Sequence, residues 1–191
     1  MYDFEELKNL GLNYSKETFS NGTAEITIVI FDKTYGDKII GLILSDLFDE
    51  MIPIVIEEMD GESVDFASLG CAKDGKHLRI SLDKSYIEDL QNKTDEVLTI
   101  IFHELGHLRN GDLTNGNFTF EKYHDERTNK VQEKHIIPME IAADDFAVEY
   151  IGSVRVVSGL KEIKRKAETY VGYENVDLAV WELEERIKRL L

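Results

Sequence analysis

The chain is poor in the residues that cross-link or punctuate a backbone. Its single cysteine, Cys71, excludes an intramolecular disulfide. The acidic start Met1-Tyr2-Asp3-Phe4-Glu5-Glu6 has neither the basic flank nor the apolar run of a secretory leader, so a reducing, cytoplasmic compartment is expected. Prolines number two, and no repeat or low-complexity tract divides the chain. The most apolar runs, 39–44 and 52–56, fall far short of the ~20 residues a membrane-spanning helix needs, so no membrane segment is expected. Basic residues are outnumbered, 22 against 38 acidic ones, and the resulting charge of −16 repels phosphate backbones and anionic lipid, which argues against nucleic acid as a partner. The acids are spread along the chain, the pattern of a solvated surface and not of an interaction tail. Cys71 lies among strand-like residues with no adjacent base, which suits a small buried hydrophobe better than a nucleophile.

Core material is plentiful: 42% of residues are hydrophobic, eight of them tyrosines and nine phenylalanines. A length of 191 residues fits one globular domain, 1–191. Branched residues at 24–31, after the turn-forming Ser20-Asn21-Gly22-Thr23, predict a strand. An amphipathic helix is expected at 37–50 and a strand at 52–58. Segments 64–72 and 76–83 flank Asp74-Gly75 and predict a hairpin, giving a mainly antiparallel sheet in the first half. From Thr94 the apolar period turns helical, with Leu98, Ile101, Leu105 and Leu108 forming one stripe. The polar stretch 109–137 is longer than a plain loop usually runs and is expected to be partly structured, flanking the active site. Pro138 opens a helix over 139–151 that Gly152 ends, and helices at 154–169 and 176–191 complete an α+β fold.

The chemistry lies in His103-Glu104-Leu105-Gly106-His107. At ~100° per residue the two histidines sit one turn apart, opposite the apolar stripe, where both imidazoles can reach one ion. Glu104 is then placed to reach a water beside the ion without being a ligand. A third histidine in the H-E-x-x-H-x-x-G-x-x-H arrangement is ruled out, because Asn110 and Leu113 stand where Gly and His would be needed. Glu140-Ile-Ala-Ala-Asp144 instead puts two carboxylates at i and i+4 on a second helix, Glu140 to bind the metal and Asp144 to hold the outer ring nitrogen of His103 or His107. Glu126 competes for the ligand role but reads, like Glu121 and Glu133, as solvated loop, and His124 and His135 read as polar loop residues. Tyr123, Tyr150, His124, His135 and Arg155 are the candidates for an oxyanion donor.

With these residues in view, the chain resembles the gluzincin metallopeptidases. His103-Glu-Leu-Gly-His107-Leu-Arg-Asn110-Gly-Asp112 is similar to the extended motif of the branch containing the HtpX heat-shock protease and the CAAX prenyl proteases, and Glu140-x-x-Ala-Asp144 looks like its third-ligand helix. Ala143-Asp144-Asp145-Phe146-Ala147 also resembles the third helix of the ImmA/IrrE cytosolic proteases. The likeness spans 94–152 and departs from the integral-membrane members in lacking their transmembrane helices. It implies a zincin-like fold, Zn²⁺ held by His103, His107 and Glu140, Glu104 as general base, and a peptide or protein substrate. The main alternative is a non-catalytic zinc-binding interaction module on the same scaffold; hydrolysis of a non-peptide bond is a third. Zinc bound purely for structure usually involves cysteine, and Cys71 is far from the motif in sequence.

Overall fold

A computed structural model describes residues 13–35, 39–48, 54–59, 67–71, 78–112, 120–170 and 176–191. Among them are six strands in one mixed sheet and six α-helices, an α+β chain that divides into two compact units, 1–93 and 94–191. No helix among the described residues is long and apolar enough to cross a membrane.

The first unit carries β1 (Tyr14–Ser20), β2 (Glu25–Tyr35), β3 (Ile39–Ser45), β4 (Ile54–Glu58), β5 (Ala67–Cys71) and β6 (Leu78–Leu82), followed by the short helix α1 (Ile87–Asn92). Their order across the sheet is β1-β2-β3-β4-β6-β5. Every pairing is antiparallel except β4 with β6, because β6 inserts between β4 and β5 and leaves β5 at the edge. Asn21 Oδ1 accepts from the backbone N–H of Thr23 and Ala24, and Gly22 takes φ +87°, so the turn between β1 and β2 is set by the sequence Asn-Gly. The Asp74-Gly75 turn lies outside the described residues, although β5 and β6 do pair antiparallel as a hairpin would.

The helix expected at 37–50 is a correction: Ile39–Ser45 is a strand, paired with β2 on one side and β4 on the other. Ile39, Ile40, Leu42 and Ile43 are all buried, so β3 is apolar on both faces and shows no alternation to tell it from a buried helix. Gly41 supports the strand, since a Cβ there would stand 2.5 Å from the Val29 carbonyl oxygen of the neighbouring strand. Val29, Phe31, Ile39, Leu42 and Val55 form one apolar cluster of this sheet, with Tyr14 packed against it.

The second unit is helical: α2 (Asp95–Asn110), α3 (Phe120–Gln132), α4 (Pro138–Ile151), α5 (Ser153–Ala167) and α6 (Val176–Leu190). Thr94 caps α2 by accepting from the Val97 N–H at 3.4 Å, Asp95 and Glu96 lie in the favourable first turn, and Gly111 ends the helix at φ +76°. Pro138 occupies the first turn of α4, and Gly152, at φ +80°, ends α4 and starts α5. Residues 109–137 are not a plain loop, since 120–132 form α3, whose polar composition hid its helical period.

Helix α2 packs on α4 and on α5, and α6 packs on α5. Leu98, Ile101 and Leu105 are fully buried as the apolar stripe requires and Leu108 is half-buried, but Phe102 beside the stripe and Thr99 away from it are fully buried too. The face carrying the imidazoles is therefore partly covered, with His103 buried and Glu104 and His107 half-buried. Close approach is what permits this. At Gly106 a Cβ would lie 2.7 Å from Ala143 Cα and 2.8 Å from its carbonyl oxygen, and at Gly159 of α5 it would collide with the Thr99 hydroxyl. Gly106→Ala is expected to lower stability by about 1–3 kcal/mol despite the better helix propensity of alanine, because the obstacle is backbone and cannot rotate away. Urea unfolding of the metal-free variant measures it, and an unchanged or higher midpoint would show that α2 and α4 are not held at this separation.

Candidate metal centre

His103 and His107 come from α2 and Glu140 from the first turn of α4, and the Gly106–Ala143 crossing sets how closely the two helices bring them. One ligand atom from each of the three lies within 4.8 Å of the others. Nε2 of His103 is 3.1 Å from Nε2 of His107 and 3.1 Å from Glu140 Oε2, while Nε2 of His107 is 3.6 Å from Glu140 Oε1. The two rings stand edge to face at 89°, so both nitrogens can point into the same space. His103 and Glu140 are buried, at 9% and 4% exposure.

The outer ring nitrogens fix the tautomers. His103 Nδ1 meets Asp144 Oδ1 at 3.0 Å and His107 Nδ1 meets Asp112 Oδ2 at 2.8 Å. A carboxylate only accepts, so each Nδ1 carries the proton and donates it. With Nδ1 protonated in both rings, the Nε2 atoms are the lone-pair nitrogens, and two lone pairs and a carboxylate then face one another at close range. Such an arrangement needs a cation in its midst, either a proton or a metal ion. Two imidazoles and a carboxylate, each imidazole steadied by a carboxylate behind it, can hold a metal ion.

Two residues of the site lie beyond those assigned a role from the sequence. Asp112, noticed only as part of the extended motif, anchors His107. Arg186 of α6 donates from Nε to Asp144 Oδ2 at 2.8 Å, from Nη2 to Asp144 Oδ1 at 2.6 Å and from Nη1 to Glu140 Oε2 at 3.1 Å. Its Nη2 also stands 3.1 Å from His103 Nδ1, which follows from both nitrogens donating to the same oxygen. The available signal was a Glu182/Arg186 pair spaced i, i+4 beside Leu183 and Ile187 on the buried face of an amphipathic helix. Such a pair usually belongs to a solvated face, and nothing local distinguishes it.

Other sequence candidates are placed elsewhere. Glu126 lies on α3, exposed, with Lys122 at 3.9 Å, and Glu133 is exposed near Lys130. His135 is exposed, and the side chains of Glu121, Tyr123 and His124 lie outside the described residues. The Tyr150 ring packs with Phe102 and Phe146. Arg155 pairs with Asp95 at 2.7 Å, on a residue about 12 Å along α2 from His103 by helical rise.

The charges around the site are interdependent. Burial and the Arg186 guanidinium oppose a second proton on His103, but Glu140 and Asp144 outweigh them and push its pKa up to about 9. Burial works to raise the Glu140 carboxyl, yet His103, Arg186 and His107 hold it well below its ordinary value. Asp144 is likewise held down against burial by Arg186 and His103. In the metal-free protein at neutral pH, a proton therefore occupies the Nε2 lone pair that a metal ion would use.

Two outcomes follow. The apparent metal affinity should rise with pH by up to ~tenfold per unit through the neutral range, since binding must expel that proton, and should level off near pH 9 where it has left. Chelator-competition titrations across this range check it, and a flat profile would mean that metal binding expels no proton from His103. At fixed pH, Glu140→Ala should lose most of its metal affinity while Glu126→Ala keeps it; the opposite ordering would remove Glu140 from the site.

Comparison with family models, curated proteins and solved structures finds no match to this chain.

Proposed function

We propose that this protein is a zinc-dependent metallopeptidase of the gluzincin kind, with His103, His107 and Glu140 as metal ligands and Glu104 as general base. The observation that carries the reading is the convergence of two Nε2 atoms and a Glu140 oxygen, with both Nδ1–H groups already committed to Asp144 and Asp112. The donor set favours zinc over magnesium or calcium, which take oxygen ligands almost exclusively. Three protein ligands, the number found among the described residues, are also typical of a catalytic zinc site, whereas a structural one fills all four positions from the protein. Bound there, the ion supplies Lewis acidity, acidifying a water and polarising a carbonyl oxygen.

Glu104 follows His103 directly on α2, so the helix that presents the two imidazoles also carries it. Burial raises its carboxyl above the ordinary value, partly offset by His103 and His107. A carboxylate made more basic in this way is suited to taking a proton from water and returning it to the departing amine. Asp144 and Asp112 keep the imidazoles aimed during this exchange and cost no reorganisation. A peptide bond is the substrate that best uses one polarised oxygen together with one base that becomes an acid.

Glu104→Gln should retain metal and fold but lose at least ~10²–10⁴-fold in kcat, because an amide neither takes nor returns a proton. Cleavage of an unfolded protein substrate, with metal content measured on the same samples, checks it. Turnover near the wild-type rate in that variant would rule Glu104 out as the base.

A further inference from the structure

We propose that Arg186, delivered by the C-terminal helix α6, is the positioning residue of the metal centre: it sets the Glu140 and Asp144 carboxylates, and through them the metal affinity, without being a ligand. The inference rests on reading His103, His107 and Glu140 as a metal site, and it does not depend on the reaction performed there.

Arg186 is 8% exposed. A guanidinium removed from water to this extent persists only where its donors are met by acceptors of opposite charge. Here three donors are so met. Nε and Nη2 close a two-point fork on Asp144, and Nη1 reaches across to Glu140 Oε2. Because Asp144 Oδ1 accepts from Arg186 Nη2 and His103 Nδ1 together, the fork fixes the oxygen against which the His103 ring is oriented. Because Glu140 Oε2 accepts from Nη1, that oxygen is held on the Arg186 side and Oε1 is left facing His107 Nε2 at 3.6 Å. One planar cation thus spans two carboxylates, one a ligand and the other the support of a ligand. An ammonium has the same charge but no fork, so lysine cannot hold both carboxylates in this orientation.

The docking of α6 has other supports, which separates positioning from mere helix attachment. Arg189, one turn further on, donates to Asp145 Oδ1 at 2.8 Å and to the Ile141 carbonyl at 3.4 Å, both on α4. Glu182, one turn before, accepts from Arg127 of α3 at 3.1 Å. Both clamp α6 from residues outside the ligand set.

The test compares wild type, Arg186→Lys and Arg189→Gln, each stripped of metal and titrated with Zn²⁺ and with Co²⁺, whose visible spectrum reports ligand geometry. Arg186→Lys is expected to bind ~10–100-fold more weakly than wild type and to give an altered Co²⁺ spectrum at unchanged helix content. Arg189→Gln, which loosens the same helix, is expected to match wild type in both. Equal affinity and spectrum for Arg186→Lys and wild type would overturn the proposal. So would an equal loss in Arg189→Gln, since attachment of α6 would then be the cause. A wild-type protein that binds neither ion would defeat the metal reading itself, a result distinct from both. Should Arg186→Lys fail to fold, the wild-type protein still decides: the Arg186 guanidinium NMR signals are expected to shift on metal addition while those of Arg189 stay, and unmoved Arg186 signals would overturn the proposal.

Discussion

Asp144 is a carboxylate with no exposure to solvent, and the second unit is arranged around keeping it charged there. It accepts from Arg186 Nε, Arg186 Nη2 and His103 Nδ1, so one buried anion ties together α2, its own helix α4, and α6. An ion pair of this kind adds little net stability compared with an apolar core. Breaking it by removing one partner, however, typically costs about 3–5 kcal/mol, because the remaining charge is stranded. Its main effect is on geometry: three helices whose apolar faces would tolerate small slides are held to the one arrangement in which His103, Asp144 and Arg186 meet. The candidate metal ligands inherit that arrangement, since His103 is a direct partner of Asp144 and Glu140 shares Arg186 with it.

Such a network can form only if the helices come close enough for short side chains to reach. Gly106 supplies that closeness between α2 and α4, and Gly159 does the same between α2 and α5. The Gly106 position within the histidine pentapeptide is therefore structural, while His103 and His107, on the same turn and a half of helix, belong to the group that could hold a metal ion and Glu104 is the proposed base. Local sequence, packing and site geometry meet in five residues.

This explains which features the sequence disclosed. Residues placed by helical spacing were legible: His103 and His107 at i, i+4, Glu140 and Asp144 at i, i+4, and the start and stop signals Pro138 and Gly152 all act within their own helix. Arg186 acts across 42 residues of sequence from Asp144, and no local pattern marks such a partner. The same contrast runs through the fold. Strand β2 announced itself by branched residues after an Asn-Gly turn, whereas β3 is a central strand buried on both faces, and its continuous apolar run carries no period. Helix α3 is the reverse case, too polar for its apolar stripe to stand out.

The central claim is that the two Nε2 atoms and the Glu140 carboxylate together hold a divalent ion. Elemental analysis tests it most directly, on protein equilibrated with zinc near pH 8 and freed of unbound metal, alongside a His103→Ala, His107→Ala double variant. The account predicts about one zinc per wild-type chain and close to none in the variant. Wild-type protein without zinc, or a variant that keeps it, would contradict the account at its root.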